Sequence, residues 1–167
     1  MKKYLILPAV LLSITIGYSQ KNKNAYEVKS PDGQNKINFE LVNSAPKYAV
    51  SHGKIDVITP SDMGFLLKNN DLSKNFEITK VENTTFDETW EQVWGEKKNI
   101  RNHYNQLVVK LQQKNKEKTK LEIQFRAYDD GVAFRYVYPK QATKDSIFIM
   151  DEKTTFNLKE DGKAWWI

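Results

Sequence analysis

The chain has 167 residues, 40% of them hydrophobic and 28% charged, which is typical of one folded globular domain rather than of a disordered segment. It contains no cysteine, so disulfides, zinc–thiolate sites and catalytic thiols are excluded. The formal net charge is +5, but Lys2 and Lys3 contribute two of these charges, and the rest are too dispersed for a nucleic-acid-binding surface.

The first twenty residues, MKKYLILPAVLLSITIGYSQ, have the pattern of a secretory signal peptide. Two lysines precede an apolar run from Tyr4 to Gly17, and a small residue follows at Ser19. The run is too short to span a bilayer, and no cysteine near the cut can carry a lipid. We therefore expect cleavage after residue 19 or 20, and a periplasmic or secreted mature protein without a membrane partner.

From residue 24 onward, apolar and polar residues alternate with the period of β-strands, and no helical period of useful length appears. The pattern predicts an all-β domain of eight to eleven short strands in two packed antiparallel sheets. The main alternating groups are Ile37, Phe39 and Leu41; Phe76 and Ile78; Leu107, Val109 and Leu111; Ile147 and Ile149; Phe156 and Leu158.

A first hairpin is predicted around residue 53. A two-residue turn at His52-Gly53 would place Val50 opposite Ile55. Tyr48 would then lie opposite Val57, so that apolar residues meet on one half-buried face.

The stretch FDETWEQVWGEKKNIRNHYN at 86–105 is unusually rich in charged and aromatic residues. Its secondary structure has two interpretations. The residues at 85–88 fit a helix capping box with a stop at Gly95, whereas Trp90 and Trp94 also share a strand face.

The clearest hairpin is LEIQFRAYDDGVAFRYVY at 121–138. A two-residue loop at Asp130-Gly131 would oppose Ala127 to Phe134, with Gly131 supplying the positive φ of a type I′ turn. The polar run at 112–120 is interpreted as a solvated turn that returns the preceding strand against this hairpin.

Residue chemistry alone identifies no catalytic residue and no metal ligand. His52 is expected in a turn, and His103 has no nucleophile that would make a triad. No carboxylate pair is singled out for glycoside hydrolysis, and the turn propensity of aspartate accounts for Asp129-Asp130. An Asp-x-Asp-x-Asp-Gly calcium loop is also absent from the sequence.

Four stretches together resemble the N-terminal domain of glycoside hydrolase family 97: SPDGQNKINFEL at 30–41, FDETWEQVWGEKKNIRNHYN at 86–105, RAYDDGVAFRY at 126–136 and AWWI at 164–167. Members of this family are exported bacterial enzymes, typical of the Bacteroidetes, that act on α-glucosides or α-galactosides. The resemblance implies a β-super-sandwich, related to galactose mutarotase, over residues 24–167 after the signal peptide at 1–20.

In such enzymes the sandwich packs on a (β/α)₈ barrel, which carries the catalytic carboxylates and most ligands of a bound calcium ion. The chain ends at Ile167, where the family sequence continues toward the barrel. The resemblance therefore implies a C-terminally truncated, non-catalytic domain, with calcium only in the full-length enzyme. Such a fragment is expected to expose an orphaned apolar surface.

The resemblance also implies a role for the segment at 86–105, because the family domain lies beside the active-site face of the barrel and helps to shape the pocket. Aromatic rings stack on sugars, and charged or amide side chains bind their hydroxyl groups. Alternatively, the tryptophans are buried between the sheets or against another domain. The candidate residues for contacting substrate or barrel are Trp90, Trp94, Glu96, Arg101, Asn102 and Tyr104.

The expected partners are α-glycoside carbohydrates and the missing barrel, with no nucleic acid. Two other functions are open on the sequence alone. One is a free-standing periplasmic carbohydrate-binding module, and the other is a structural β domain that binds a protein.

Overall fold

The structure is a computed structural model that describes residues 24–141 and 146–163. The predicted signal peptide at 1–20 and the terminal residues 164–167 lie outside this part of the chain. Within it there is no helical segment with the length and hydropathy needed to cross a bilayer. The strands are β1 (Ala25–Lys29), β2 (Asn35–Val42), β3 (Ala45–His52), β4 (Ile55–Asp62), β5 (Phe65–Leu67), β6 (Asn70–Asp71), β7 (Phe76–Glu91), β8 (Asn99–Gln113), β9 (Lys120–Tyr128), β10 (Gly131–Val137) and β11 (Ile149–Glu152).

These strands form three antiparallel sheets, and the described residues contain no helix. The first sheet has the order β1-β2-β3-β4 and the second the order β10-β9-β8-β7. They pack as the predicted sandwich. A third, small sheet, β11-β5-β6, was not predicted, because β5 and β6 are only three and two residues long and show no periodic pattern.

The alternation of the sequence explains the two main layers. In β9, KLEIQFRAY, every second residue is buried, and these residues face the other sheet. Phe39 of the first sheet meets Phe125 of the second, with ring centroids 5.7 Å apart. Hydrophobic burial between the two apolar faces therefore holds the sandwich together. The fully buried centre includes Ile37, Phe39, Leu107, Val109, Leu111, Leu121, Ile123 and Phe125.

The loop between β3 and β4 differs from its prediction. It consists of Gly53 and Lys54, not of His52 and Gly53, because His52 still pairs with Ile55 at the end of the ladder. The ring nitrogen Nδ1 of His52 lies 2.8 Å from Asn35 Oδ1, which keeps this residue in the strand. Gly53 has a φ of 56°, the left-handed conformation that glycine adopts without strain.

The register of the same hairpin was also predicted incorrectly. Val50 pairs with Ile58 rather than with Ile55, and irregularities on both sides of Val50 shift the ladder. Ile55 and Val57 are consequently exposed, and Val57 does not lie opposite Tyr48. Bulges leave residues out of the ladder, so a strict period of two no longer describes which face a side chain occupies.

The β9–β10 hairpin is confirmed, but its register lies two residues from the predicted one. Val132, not Phe134, pairs with Ala127, because the loop consists of Asp129-Asp130. None of the loop residues has a positive φ, and neither does Gly131, so the predicted type I′ turn is wrong. The side chains keep their predicted faces, since a shift of two residues conserves the alternation.

Two further elements are settled by the structure. The segment at 85–91 belongs to strand β7 and is not a helix. Phe156 and Leu158 were predicted in a strand, but they take part only through an isolated bridge between Leu158 and Ile58. The groups around Phe76 and Leu107 are confirmed as strands β7 and β8, and the strand predicted from Ile147 begins at Ile149.

Replacing the two turn glycines by alanine tests which loop needs a left-handed residue. We expect Gly53→Ala to lower the free energy of unfolding by about 1 kcal/mol, because alanine is strained at this φ. Gly131→Ala should leave it unchanged or raise it by up to about 1 kcal/mol, because Gly131 has no positive φ and open space at the Cβ position. Urea unfolding measures both values, and a larger loss at Gly131 would contradict the observed registers.

Candidate functional site

Strands β7 and β8 form an arm that extends beyond the rest of their sheet. The β8–β9 ladder ends at the pair Asn105–Ala127, whereas the β7–β8 ladder continues for six more pairs, to Glu91–Asn99. At about 3.3 Å per residue, this ribbon projects about 20 Å past β9. We call residues 86–104 the arm, and the loop at 92–98 is its tip.

The root of the arm lies against a set of hydrogen bonds between the two sheets. Asn35 is buried, and its Nδ2 donates to the carbonyl oxygens of Tyr128, at 2.9 Å, and Asp129, at 3.1 Å. Because the amide group donates in both bonds, its Oδ1 is the acceptor of the third contact. His52 therefore donates from Nδ1 to this oxygen.

The loop between β1 and β2 completes this network. Ser30 Oγ accepts the N–H of Asn35 at 2.9 Å and donates to Asp32 Oδ1 at 2.5 Å. The N–H of Asp32 in turn donates to Asp129 Oδ1 at 2.9 Å. The Ser30 hydroxyl is the main reason that the pKa of Asp32 is lowered. We call the connected group the latch; it consists of residues 30–35, His52 and residues 128–130.

A groove of about 750 Å³ lies between the arm and the latch. Aromatic, amide and carboxylate groups face the same space, a mixture that suits a ligand with an apolar face and several hydroxyl groups. The lining residues are Trp90, Ile100, Arg101, Asn102 and His103 from the arm, and Tyr128, Asp129 and Asp130 from the latch.

An ion pair braces the two strands of the arm. Arg101 Nε lies 2.9 Å from Asp87 Oδ1, and its Nη2 lies 2.7 Å from Asp87 Oδ2. The guanidinium group lowers the pKa of Asp87, with a smaller contribution from the charge of His103. Exposed ion pairs add little stability, but this bidentate geometry fixes the orientation of both side chains.

Aromatic contacts attach the other face of the arm to β9. The Tyr104 side chain is only 6% exposed. Its ring centroid lies 5.3 Å from that of Phe86 and 5.1 Å from that of Tyr128. The guanidinium carbon of Arg126 lies 4.3 Å from the centroid of the Tyr104 ring, a cation–π contact. Tyr104 therefore supports the arm from one face, while the groove opens beside it.

The six residues predicted for this site occupy three places. Three line the groove: Trp90, Arg101 and Asn102. Tyr104 lies in the aromatic stack, and Trp94 and Glu96 lie in the tip, outside the groove lining. The tryptophans of the arm are not buried between the sheets, since Trp90 is 47% and Trp94 87% exposed.

The prediction did not include the latch side of the groove. Asp129 and Asp130 were interpreted only as turn residues, and Tyr128 was not considered. A signal for them existed, because the strands at 107–111 and 121–125 were predicted to pair. Extending that ladder brings Tyr128 beside Tyr104, where the structure places it.

The described residues do not fit the calcium ion that the family resemblance implies for a full-length enzyme. They contain no group of three or more histidine or acidic side chains that could hold a metal ion. Two carboxylates near the groove also have protein partners, since Asp87 pairs with Arg101 and Asp129 accepts the N–H of Asp32.

Comparison with known proteins gives one family and several curated relatives. A family model described as "Glycosyl-hydrolase 97 N-terminal" matches residues 28–167. A "Retaining alpha-galactosidase" from Bacteroides thetaiotaomicron is 27% identical over 132 residues, which cover 78% of this chain and 19% of the relative. A "Probable retaining alpha-galactosidase" from Streptomyces bingchenggensis is 24% identical over 132 residues, which cover 79% of this chain and 20% of the relative.

Solved structures match the fold as well. A glycoside hydrolase family 97 enzyme from Pseudoalteromonas sp. strain K8, solved in complexes with panose and with acarbose, is 35% identical with a TM-score of 0.76. The match covers 80% of this chain and 20% of that one. A beta-arabinopyranosidase is 29% identical with a TM-score of 0.74, and the match covers 81% of this chain and 21% of that one. The chain thus spans about one fifth of the length of these relatives.

Replacing Asn35 by alanine tests the latch. We expect Asn35→Ala to lower the free energy of unfolding by about 2–3 kcal/mol, because two carbonyl groups and the Nδ1–H of His52 lose their partner. Asn99→Ala is the matched control, since Asn99 is exposed at the start of β8 and should change stability by less than about 0.5 kcal/mol. Equal effects of both changes in urea unfolding would refute the latch.

The arm ion pair predicts a pH dependence. Asp87 has a folded-state pKa below its ordinary value of 3.8, so the pair stabilises the arm above that value and is lost as the pH falls through the lowered pKa. Carboxyl NMR of Asp87 should therefore titrate below 3.8. In Arg101→Gln its pKa should rise toward that value. If the substitution left the titration of Asp87 unchanged, the pairing would be wrong.

Proposed function

The chain belongs to the glycosyl-hydrolase 97 N-terminal family, and on this basis we propose that it is the non-catalytic N-terminal domain of an exported bacterial α-glycosidase. In this proposal the arm and its groove contact the catalytic barrel, help to shape the substrate pocket and bind carbohydrate. The observation that carries the proposal is the position of the arm, which lies at the end of the sandwich where the described chain leaves it.

The direction of the last described residues supports this position. Residues 155–159 run antiparallel to β4 and proceed toward the beginning of that strand, with the N–H of Lys159 donating to the carbonyl of Val57 at 3.1 Å. Strand β4 begins at Ile55, which pairs with the latch residue His52. A polypeptide that continues from here starts at the end of the sandwich that carries the latch, on the β4 side of the first sheet.

Exposed apolar surface beside this exit also supports a covering domain. Phe156 is 61% exposed, although its ring contacts those of Tyr48 and Phe134. An apolar cleft of about 270 Å³ opens next to it between the two sheets. Contiguous exposed apolar patches are uncommon on monomers and mark surfaces that another part of a protein covers. Other exposed apolar residues near the exit are Ile55, Val57 and Leu158.

The roles of the site residues follow from their chemistry. The exposed indole of Trp90 offers a stacking face for a sugar, while Asn102 and Asp130 offer hydrogen-bonding groups on the groove wall. The catalytic carboxylates, and the ligands of a calcium ion, would come from the barrel that follows. The names of the relatives include α-galactosidases and a β-arabinopyranosidase, so the proposal does not select one sugar.

A free-standing carbohydrate-binding module is the second candidate function. The observation that favours it is the arm tip, where Trp94 is 87% exposed and needs no barrel to meet a ligand. The open apolar cleft argues against it, because a module that acts alone would leave this surface in water. Oligosaccharide binding by the 167-residue chain, detected as tryptophan fluorescence quenching at its monomer mass, would favour the module.

Substitution of Trp90 in the complete polypeptide tests the proposal. We expect Trp90→Ala to lower kcat/KM for an aryl α-glycoside by about tenfold, because one stacking contact worth about 1.4 kcal/mol in the transition state is removed. The matched control is Phe148→Ala, which removes another exposed ring, one that lies beside Lys68 and outside the groove lining, and it should change kcat/KM by less than twofold, or about 0.4 kcal/mol. Unchanged kinetics in both variants would contradict a pocket role for the arm.

A further inference from the structure

Arginine is rare in this chain, and two of its three arginines lie side by side on one sheet. Only Arg101, Arg126 and Arg135 occur among the 26 lysine and arginine residues. Arg126 of β9 pairs with Ala133 of β10. Arg135, two residues further along β10, pairs with Gln124 of β9. The two arginines are therefore diagonal neighbours, with Cα atoms about 7–8 Å apart. Lysine carries the same charge, but only the guanidinium group presents a planar fork of donors.

Both guanidinium groups are held in a fixed orientation on the outer face of the second sheet. Every second residue of β9 is buried, and Arg126 belongs to the other, outward set. Its Nε donates to Gln106 Oε1 at 2.9 Å, and Tyr104 packs against its guanidinium group. In the same way, Nε of Arg135 donates to Gln124 Oε1 at 2.8 Å. The terminal Nη groups of both arginines form no hydrogen bond with any residue that the structure describes.

The positive charge of this arginine pair is not neutralised within the described part of the chain. Arg126 and Arg135 bind neutral amide oxygens, and neither forms an ion pair with a described residue. Glu122, on the same face of β9, accepts a hydrogen bond from Gln124 and lies 4.0 Å from Lys110. Two like charges on adjacent strands repel each other, so an anion between them would be stabilised.

A depression of about 120 Å³ lies between the two arginines. Ala133 leaves this space open, because its side chain is a single methyl group. Tyr128 lines the depression and also lines the groove beside the arm, so the two spaces are neighbours. At about 30 Å³ per water molecule, the volume equals that of about four waters, which suits a small oxyanion group rather than a drug-sized ligand.

We propose that Arg126 and Arg135 form a binding site for an oxyanion, namely a carboxylate or sulfate group, above Ala133. Guanidinium groups bind such groups through pairs of parallel N–H donors, and the Nη groups of both arginines are free to do so. The oxyanion is either a free ion or a group carried by an acidic sugar that occupies the neighbouring groove across Tyr128. The inference goes beyond the proposed function, because the site is complete within this domain and does not need the barrel.

NMR of the arginine Nε–H groups during titration of the 167-residue chain with sodium sulfate tests the site. The three arginines give three such signals, which single substitutions assign. We expect the signals of Arg126 and Arg135 to shift and to saturate in the millimolar range, because exposed charge pairs bind weakly. Arg101 is the internal control, since Asp87 already occupies its guanidinium group. Shifts that do not saturate, or that sodium chloride reproduces at the same ionic strength, would overturn the site.

Replacing Arg135 by glutamine tests whether the two guanidinium groups act together. Arg135→Gln should weaken sulfate binding at Arg126 on the order of tenfold, because one of the two charged donors is lost. The matched control is Lys36→Gln, which removes the same charge from the outer face of the first sheet and should weaken binding by less than twofold. Equal weakening by both substitutions would indicate a general effect of net charge and would refute a specific site.

Galacturonate, acetate and galactose distinguish the two sources of the oxyanion. If galacturonate binds at least tenfold more tightly than acetate, the site receives the carboxylate of an acidic sugar. If both bind equally, the site takes a free anion. Galactose has no charge and should leave the Nε–H signals of Arg126 and Arg135 in place. Shifts with galactose as large as those with galacturonate would contradict oxyanion binding.

Discussion

The side chain of Asn35 makes the hydrogen bonds that join the two sheets at the end of the domain that carries the arm and the groove. Its Nδ2 donates hydrogen bonds to two carbonyl groups of the opposite sheet, and its Oδ1 accepts a hydrogen bond from Nδ1 of His52. Apolar faces attract each other without direction, so hydrophobic burial alone does not fix how two sheets are positioned at their ends. A buried polar group whose bonds are all satisfied selects one arrangement, because every shift leaves a group unpaired.

The latch positions the arm in two steps. It holds the β9–β10 turn at Asp129, and the neighbouring strand β8 continues past that turn as one side of the ribbon. Tyr104 then attaches the ribbon to β9 through its contacts with Tyr128 and Arg126. The groove is consequently formed by two elements that are distant in sequence and are connected by directional bonds. The orientation of the arm is therefore set by bonds within the domain and does not depend on a bound partner.

Strand positions were predictable from the sequence, whereas turns and registers were less so. Alternation is a local property, and it identified β2, β8 and β9 because each buries one face. Loop residues are selected by contacts that the local pattern does not contain. Asp129 lies in the β9–β10 loop, where its side chain accepts the main-chain N–H of Asp32, 97 residues away. The loop therefore needs no glycine with a positive φ at position 131. The arm was recognisable from its composition, but the opposite wall of the groove required the tertiary pairing of β8 and β9.

A crystal structure of the complete polypeptide with a bound oligosaccharide tests the central claim most directly, namely that the latch holds the arm against the catalytic barrel and its substrate. The account predicts that the latch bonds of Asn35 are unchanged. It also predicts that Trp90 and Asn102 of the groove lie within contact distance, about 4 Å, of the barrel or the sugar. An arm that stands free in solvent, with the barrel packed on another face of the sandwich, would contradict it.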